Sequence, residues 1–155
     1  MLERALRISI LGHAAQALVF STALACLALP LSAGAHGALA VAAPNDIEKD
    51  GFSWGASLNQ DTTEGAQLHA LETCLTVKGN ASTAVRGLCR VVEKFDHKCY
   101  AMGWDPKDGT PGVGWSIDIS KDDAERNAMQ KCRATAGDAR KEFCVIAHSG
   151  CDASP

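Results

Sequence analysis

The sequence predicts an α+β fold. It reads as two tandem β-β-α-β units sharing one antiparallel sheet, with two helices packed on one face and disulfides as staples. Three observations carry this. The stripe Ala66, Ala70, Cys74 recurs as Ala124, Ala128, Cys132, each position shifted by 58. The strand-like CRVV at Cys89–Val92 recurs as CVIA at Cys144–Ala147. Six cysteines fall in what remains once the N-terminal segment is set aside. Self-similarity at a fixed spacing is the mark of a repeated supersecondary unit.

The N-terminal segment comes first. Arg4 and Arg7 form a basic start, and an apolar run follows from Ile8 to Leu31. Ala33-Gly34-Ala35 then matches an A-x-A cleavage pattern, so residues 1–35 read as a secretory leader of the Sec type. A retained membrane anchor is the rival reading, because a run of about 20 apolar residues can span a bilayer. Pro30 and the small residues after it favour cleavage. Lipidation at Cys26 is disfavoured, because the apolar run continues past it. Removing the leader takes Cys26 away and leaves six of the seven cysteines. It also removes Glu3, Arg4 and Arg7, so the net charge moves from −3 to −4. An even cysteine count in a small exported chain implies a disulfide framework in an oxidising compartment. The expected location is therefore periplasmic or secreted, with no membrane span after cleavage. Mild acidity also argues against a nucleic-acid partner, which would need a basic patch.

The exported domain, 36–155, divides into repeats at about 36–97 and 98–155. His36–Leu58 reads strand, turn, strand, with the break at Pro44-Asn45-Asp46. Asp61, with Glu64 three residues on, gives a helix start. Helix one runs to about Lys78, and Gly79-Asn80 ends it. A polar loop leads to Gly87. Leu88–Phe95 and Lys98–Trp104 read as two strands around a tight Asp96-His97 turn, with one cysteine in each strand. This stretch marks the seam between the repeats. Asp105–Gly112 is turn-rich, Val113–Ile119 is a strand, and Ser120 with Asp123 starts helix two, which runs to about Thr135. Phe143–His148 is the last strand. Trp54 and Trp115 are read as equivalent, as are Pro44 and Pro106.

Small side chains let a helix approach a sheet closely, and each stripe ends in a cysteine near the following strand. That geometry predicts Cys74–Cys89 and Cys132–Cys144. Closing loops of this size stabilises by about 3 kcal/mol in the chain-entropy picture. Cys99 and Cys151 are left for each other, and are expected to tie the two halves together.

The pattern GALAVA, a tryptophan with a small neighbour, an alanine-rich helix ending in cysteine, and then CRVV followed by C-x-A resembles the bacterial domain-of-unknown-function family 4189. Matching residues include Gly37–Ala40, Trp115-Ser116, Ala124–Cys132 and Cys89–Ala101, and the resemblance covers His36 to Cys151. Members are typically small, exported and cysteine-containing, and the resemblance implies no enzymatic activity and no catalytic residues. The chain departs from the pattern at Gly65 and His69, and its loop Gly79–Arg86 is longer than usual.

Several sites for chemistry can be weighed. The six cysteines form a consistent disulfide scheme, which leaves no free thiolate as a nucleophile. There is no C-x-x-C or H-E-x-x-H, so no metal or cofactor is expected. Asp105-Pro106-Lys107-Asp108-Gly109 has two acids and a glycine but lacks the distal Glu of a calcium loop, and reads as a turn. Asn80-Ala81-Ser82 is a lone glycosylation sequon. Glu93 and His148 each lie four residues after a repeat cysteine. Strand parity gives them matching orientations, so they would form a carboxylate–imidazole pair if the final strands were neighbours. Trp104 is the tryptophan expected to be exposed, and so the candidate binding anchor. The resulting expectation is a binding or interaction domain of the inhibitor, immunity or effector kind, directed at a protein or cell-envelope component. The alternative is a small envelope hydrolase acting through Glu93 and His148.

Overall fold

The computed structural model of the chain describes residues 35–76 and 81–152. The predicted leader up to Gly34, Cys26 within it, the predicted end of helix one at Lys78 and the sequon's Asn80 lie outside these residues.

The elements are β1 (His36–Ala42), α1 (Ile47–Asp50), β2 (Ser53–Gln60), α2 (Thr63–Thr76), α3 (Thr83–Arg86), β3 (Arg90–Asp96), β4 (Cys99–Trp104), β5 (Val113–Asp118), α4 (Lys121–Ala136), a 3-10 turn (Lys141–Phe143) and β6 (Val145–Cys151). The short helices α1 and α3 were not expected. Asp46 caps the first through Lys49 N (3.0 Å), and Ser82 caps the second through Val85 N (3.2 Å). Helix α2 is capped by Thr62 rather than Asp61: its hydroxyl accepts from Gly65 N at 3.0 Å. Ser120 caps α4 as expected, accepting from Asp123 N at 3.1 Å.

The strands form two separate antiparallel sheets, ordered β2-β1-β3 and β5-β4-β6. The expected shared sheet is therefore not formed. Nor do the helices share a face: α2 packs on β1 and β2, and α4 on β4 and β5. The reason lies in the two central strands. Along β1, Ala38, Ala40 and Ala42 face α2, while Leu39 and Val41 face the other way. Along β4, Cys99 and Ala101 face α4, while Tyr100 and Met102 face the other way. One sheet with helices on one face would leave the second set in water. Burying each such side chain contributes about 2 kcal/mol. Instead Leu39, Val41 and Phe95 of the first sheet pack with Tyr100, Met102 and Val113 of the second in one core. The layers run α2, sheet, sheet, α4.

The helices sit very close to their sheets. A Cβ added at Gly55 would lie 2.4 Å from Ala70 O and from Cys74 N. At Gly114 it would lie 2.4 Å from Cys132 N and 2.6 Å from Ala128 O. Here the alanine stripe meets bare strand backbone. These two glycines correspond, which corrects the tryptophan match: Trp54 precedes its glycine and Trp115 follows its own.

The three disulfides are Cys74–Cys89, Cys132–Cys144 and Cys99–Cys151. The first two each join a helix to the start of the strand after it. The third joins cross-strand partners on β4 and β6, inside the second sheet. It does not tie the halves together, because the chain has already crossed into the second sheet before Cys99. Likewise β3 and β4 do not form a hairpin; the Asp96–Cys99 turn passes from one sheet to the other.

Candidate functional site

The outward face of α2 carries exposed leucines. Leu68 and Leu75 are 66% and 48% exposed, and Leu71 lies between them, half-buried against the helix-side core. The spacing i, i+3, i+7 puts the three on one stripe. Leu88, beside the bonded Cys89, adds a further exposed leucine at the C-terminal end of the helix. On α4 the positions 58 residues later are Arg126, Met129 and Arg133, with both arginines exposed. Phe143, the residue before Cys144, answers Leu88, and the Arg140 guanidinium lies over its ring at 4.1 Å.

Glu93 and His148 do occupy corresponding places, opposite Leu39 and Met102. They lie on edge strands of different sheets, however, and among the described residues no hydrogen bond links them. Glu93 is exposed. His148 stacks on Tyr100, ring centroids 5.7 Å apart, and its Nδ1 lies 2.5 Å from the Tyr100 hydroxyl. Trp54 completes this group, 5.9 Å from the His148 ring. Burial pushes the Tyr100 phenol up to about 12, so it stays protonated at neutral pH. Trp104 is only half-buried and meets Phe52 edge-on at 5.8 Å, which makes it part of the aromatic packing.

A polar corner forms where β1 begins. His36 Nδ1 lies 2.6 Å from Asp96 Oδ1 and 3.3 Å from Thr63 Oγ1. Asp152 is buried beside it, with Oδ1 accepting from Asn59 N at 3.0 Å. Burial pushes the Asp152 carboxyl up; the Asn59 N–H opposes this, Asp96 adds to it, and His36 and His97 oppose it. Spacing arguments could not find this corner, because its members come from five separate places in the chain.

The turn once compared with a calcium loop is occupied by protein groups. Arg140 donates two hydrogen bonds to Asp105, both 2.7 Å, and Lys107 N adds a third at 3.1 Å. The Arg140 hydrogen bonds hold the Asp105 carboxyl below the usual range against the effect of burial. Among the described residues no three of His, Cys, Asp and Glu are arranged to hold a metal ion. Nor is any described helix long and apolar enough to cross a membrane. The three disulfides fit an extracellular or periplasmic setting.

No curated protein and no solved structure matches the chain. The sequence profile of DUF4189, described as a domain of unknown function, matches residues 36–151. That span holds all three disulfides, both sheets and both helix seats, so the chain belongs to the DUF4189 family.

Proposed function

We propose that this chain is an exported binding domain, released from a leader at Ala35, which engages a protein or cell-envelope component through the outer face of α2. The same strand order in both halves supports the reading of the domain as two repeats, about 36–97 and 98–155. The observation that carries the binding proposal is the contrast between the two helices. Identical seats present leucines on one outer face and arginines on the other. An exposed leucine stripe on a well-stapled small domain marks a contact surface. Glu64 lies on the stripe and Glu72 on its flank, so the fitting partner offers apolar side chains bordered by basic ones. Inhibitors, immunity-type proteins and secreted effectors act by contacts of this kind.

The test places the arginines of α4 on α2. Envelope extract is passed over the immobilised wild-type domain and over Leu68→Arg/Leu75→Arg, and the bound proteins are identified. A protein held by the wild type and lost from the equally folded variant supports the reading. Equal capture by both retires α2 as the contact face.

A further inference from the structure

We propose that the α-amino group freed at His36 when the leader is removed is the counter-ion of Asp152, so that cleavage itself completes an ion pair at the start of β1. The inference rests on the leader reading above.

The motive is an orphan. Asp152 is 3% exposed, and among the described residues its Oδ2 has no hydrogen-bond partner. Its backbone is pinned, with Asp152 N donating to Lys98 O at 2.9 Å, so the side chain is held in place. A buried carboxylate oxygen without a partner is rare and calls for an explanation.

The geometry points to residue 36. Oδ2 lies against the first turn of backbone in β1: a Cβ added at Gly37 would sit 2.8 Å from it. The absence of that Cβ leaves the carboxylate its space. Strand parity gives the direction. His97 N donates to Ala35 O, so the polar groups of Ala35 face β3. Successive residues of a central strand face opposite neighbours. The backbone N of His36 therefore faces β2 opposite Gln60, next to Asn59, whose N donates to the other oxygen of Asp152.

In the uncut chain that nitrogen is a neutral amide. Hydrolysis by a leader peptidase adds water across the Ala35–His36 bond. The new carboxylate leaves on Ala35 with the leader, and His36 keeps an amine that takes up a proton. An ammonium brings three donors and a full positive charge to the end of β1. The other charged groups facing Asp152 are Asp96 and His97 on the turn between the sheets and the imidazole of His36. Of these, Asp96 works against ionisation and the two imidazoles favour it. Cleavage also removes the Ala35 carbonyl that His97 N uses, so one backbone hydrogen bond is exchanged for the ion pair.

The sign of the pH effect follows. The pair lowers the Asp152 pKa, so its stabilisation is lost as the pH falls through the carboxylate range. It raises the amine pKa, so the stabilisation is also lost as the pH rises through that value. The window opens above the raised value of the unpaired Asp152 carboxyl and closes as the pH rises past the amine, whose ordinary value is about 8.

Every described element and all three disulfides lie at or after His36. Two oxidised chains are therefore compared, one starting at His36 and one at Ala35. Carboxyl carbon NMR follows Asp152, and thermal unfolding is measured from pH 3 to 10. The expected result is an Asp152 titration about one unit or more lower in the His36 chain, with higher stability inside the window. Acetylating the His36 amine should restore the behaviour of the Ala35 chain. This control leaves Asp152 untouched, so it holds even where Asp152→Asn fails to fold. Coincident titrations in the two chains overturn the pair. N-terminal sequencing of the exported protein tests the leader reading separately. A start other than His36 overturns the maturation role, while a His36 start with coincident titrations overturns the pair and leaves the leader reading standing.

Discussion

Helices α2 and α4 rest on their sheets through the same three side chains, Ala-Ala-Cys, over the same glycine contact. Their outer faces differ where exposed Leu68 and Leu75 on α2 are matched by exposed Arg126 and Arg133 on α4. The inner face is constrained because there is no room for one more carbon atom between helix and strand. The outer face touches only water and is free to change. The devices that fasten the helix ends differ as well. In the first half Ser53 on the strand donates to Cys74 O at 2.6 Å. In the second, Thr135 on the helix donates to Val113 O at 2.8 Å and accepts from Val113 N at 2.9 Å. The contact distance is thus kept while the means of holding it vary.

The glycines test this comparison most severely. Gly55→Ala and Gly114→Ala should each cost about 3 kcal/mol or more, since the added carbon meets backbone that cannot rotate away. Gly103→Ala should cost far less, because its nearest atom is 3.3 Å away. Urea denaturation measures all three. A mild effect at one of the first two would show that the halves are not equivalent there. Next comes the helix-to-strand disulfide. Replacing both cysteines of Cys74–Cys89, or of Cys132–Cys144, should cost about 3 kcal/mol in either half, because the closed loops are of similar length. Unequal losses would mean that one helix is held mainly by packing.

Arg140→Ala should have a smaller effect, and only the second half should feel it. Asp105 occupies the place that Ala42 holds in the first half, and only Asp105 needs a counter-ion. Its lowered carboxyl pKa contributes stability above the carboxylate range, and that contribution is lost as the pH falls. The gap between wild type and variant should therefore be widest near neutrality and shrink in acid, as read by thermal unfolding against pH. Smallest of all should be Leu68→Arg/Leu75→Arg. Both side chains are already in water, so stability should change by less than about 0.5 kcal/mol. A large loss would mean that the leucines serve folding rather than contact.

Much of the fold was legible in the residues. Alanine stripes ending in cysteine mark helices pressed onto strands, and Ser120 marks a cap. The division into two sheets was also written there, in the alternation of Ala38 and Ala40 with Leu39 and Val41. Both sets are apolar, so the strand needs cover on both faces, and a single sheet with helices on one side cannot supply it. The tryptophans misled because residues two apart share a face, so Trp54 and Trp115 both point to the central core from places that do not correspond. Cys99 misled because it lies in the stretch read as the seam, so its pairing with Cys151 was taken as a bridge between halves, although Cys99 already belongs to the second sheet. The Asp152 corner had no local signal, since contacts gathered from the ends of distant elements leave no periodic trace.

The short turn from Asp96 to Cys99 has a consequence for how the domain could be taken apart. Among the described residues it is the only covalent route from one sheet to the other, because every disulfide closes within its own half. A single protease cut there would yield two fragments, each internally cross-linked and each carrying one side of the Leu39–Tyr100–Met102 core. Such fragments are suited to complementation. Fused to separate bait proteins, they would report on proximity by rejoining through the buried apolar layer and the Asn59–Asp152 hydrogen bond.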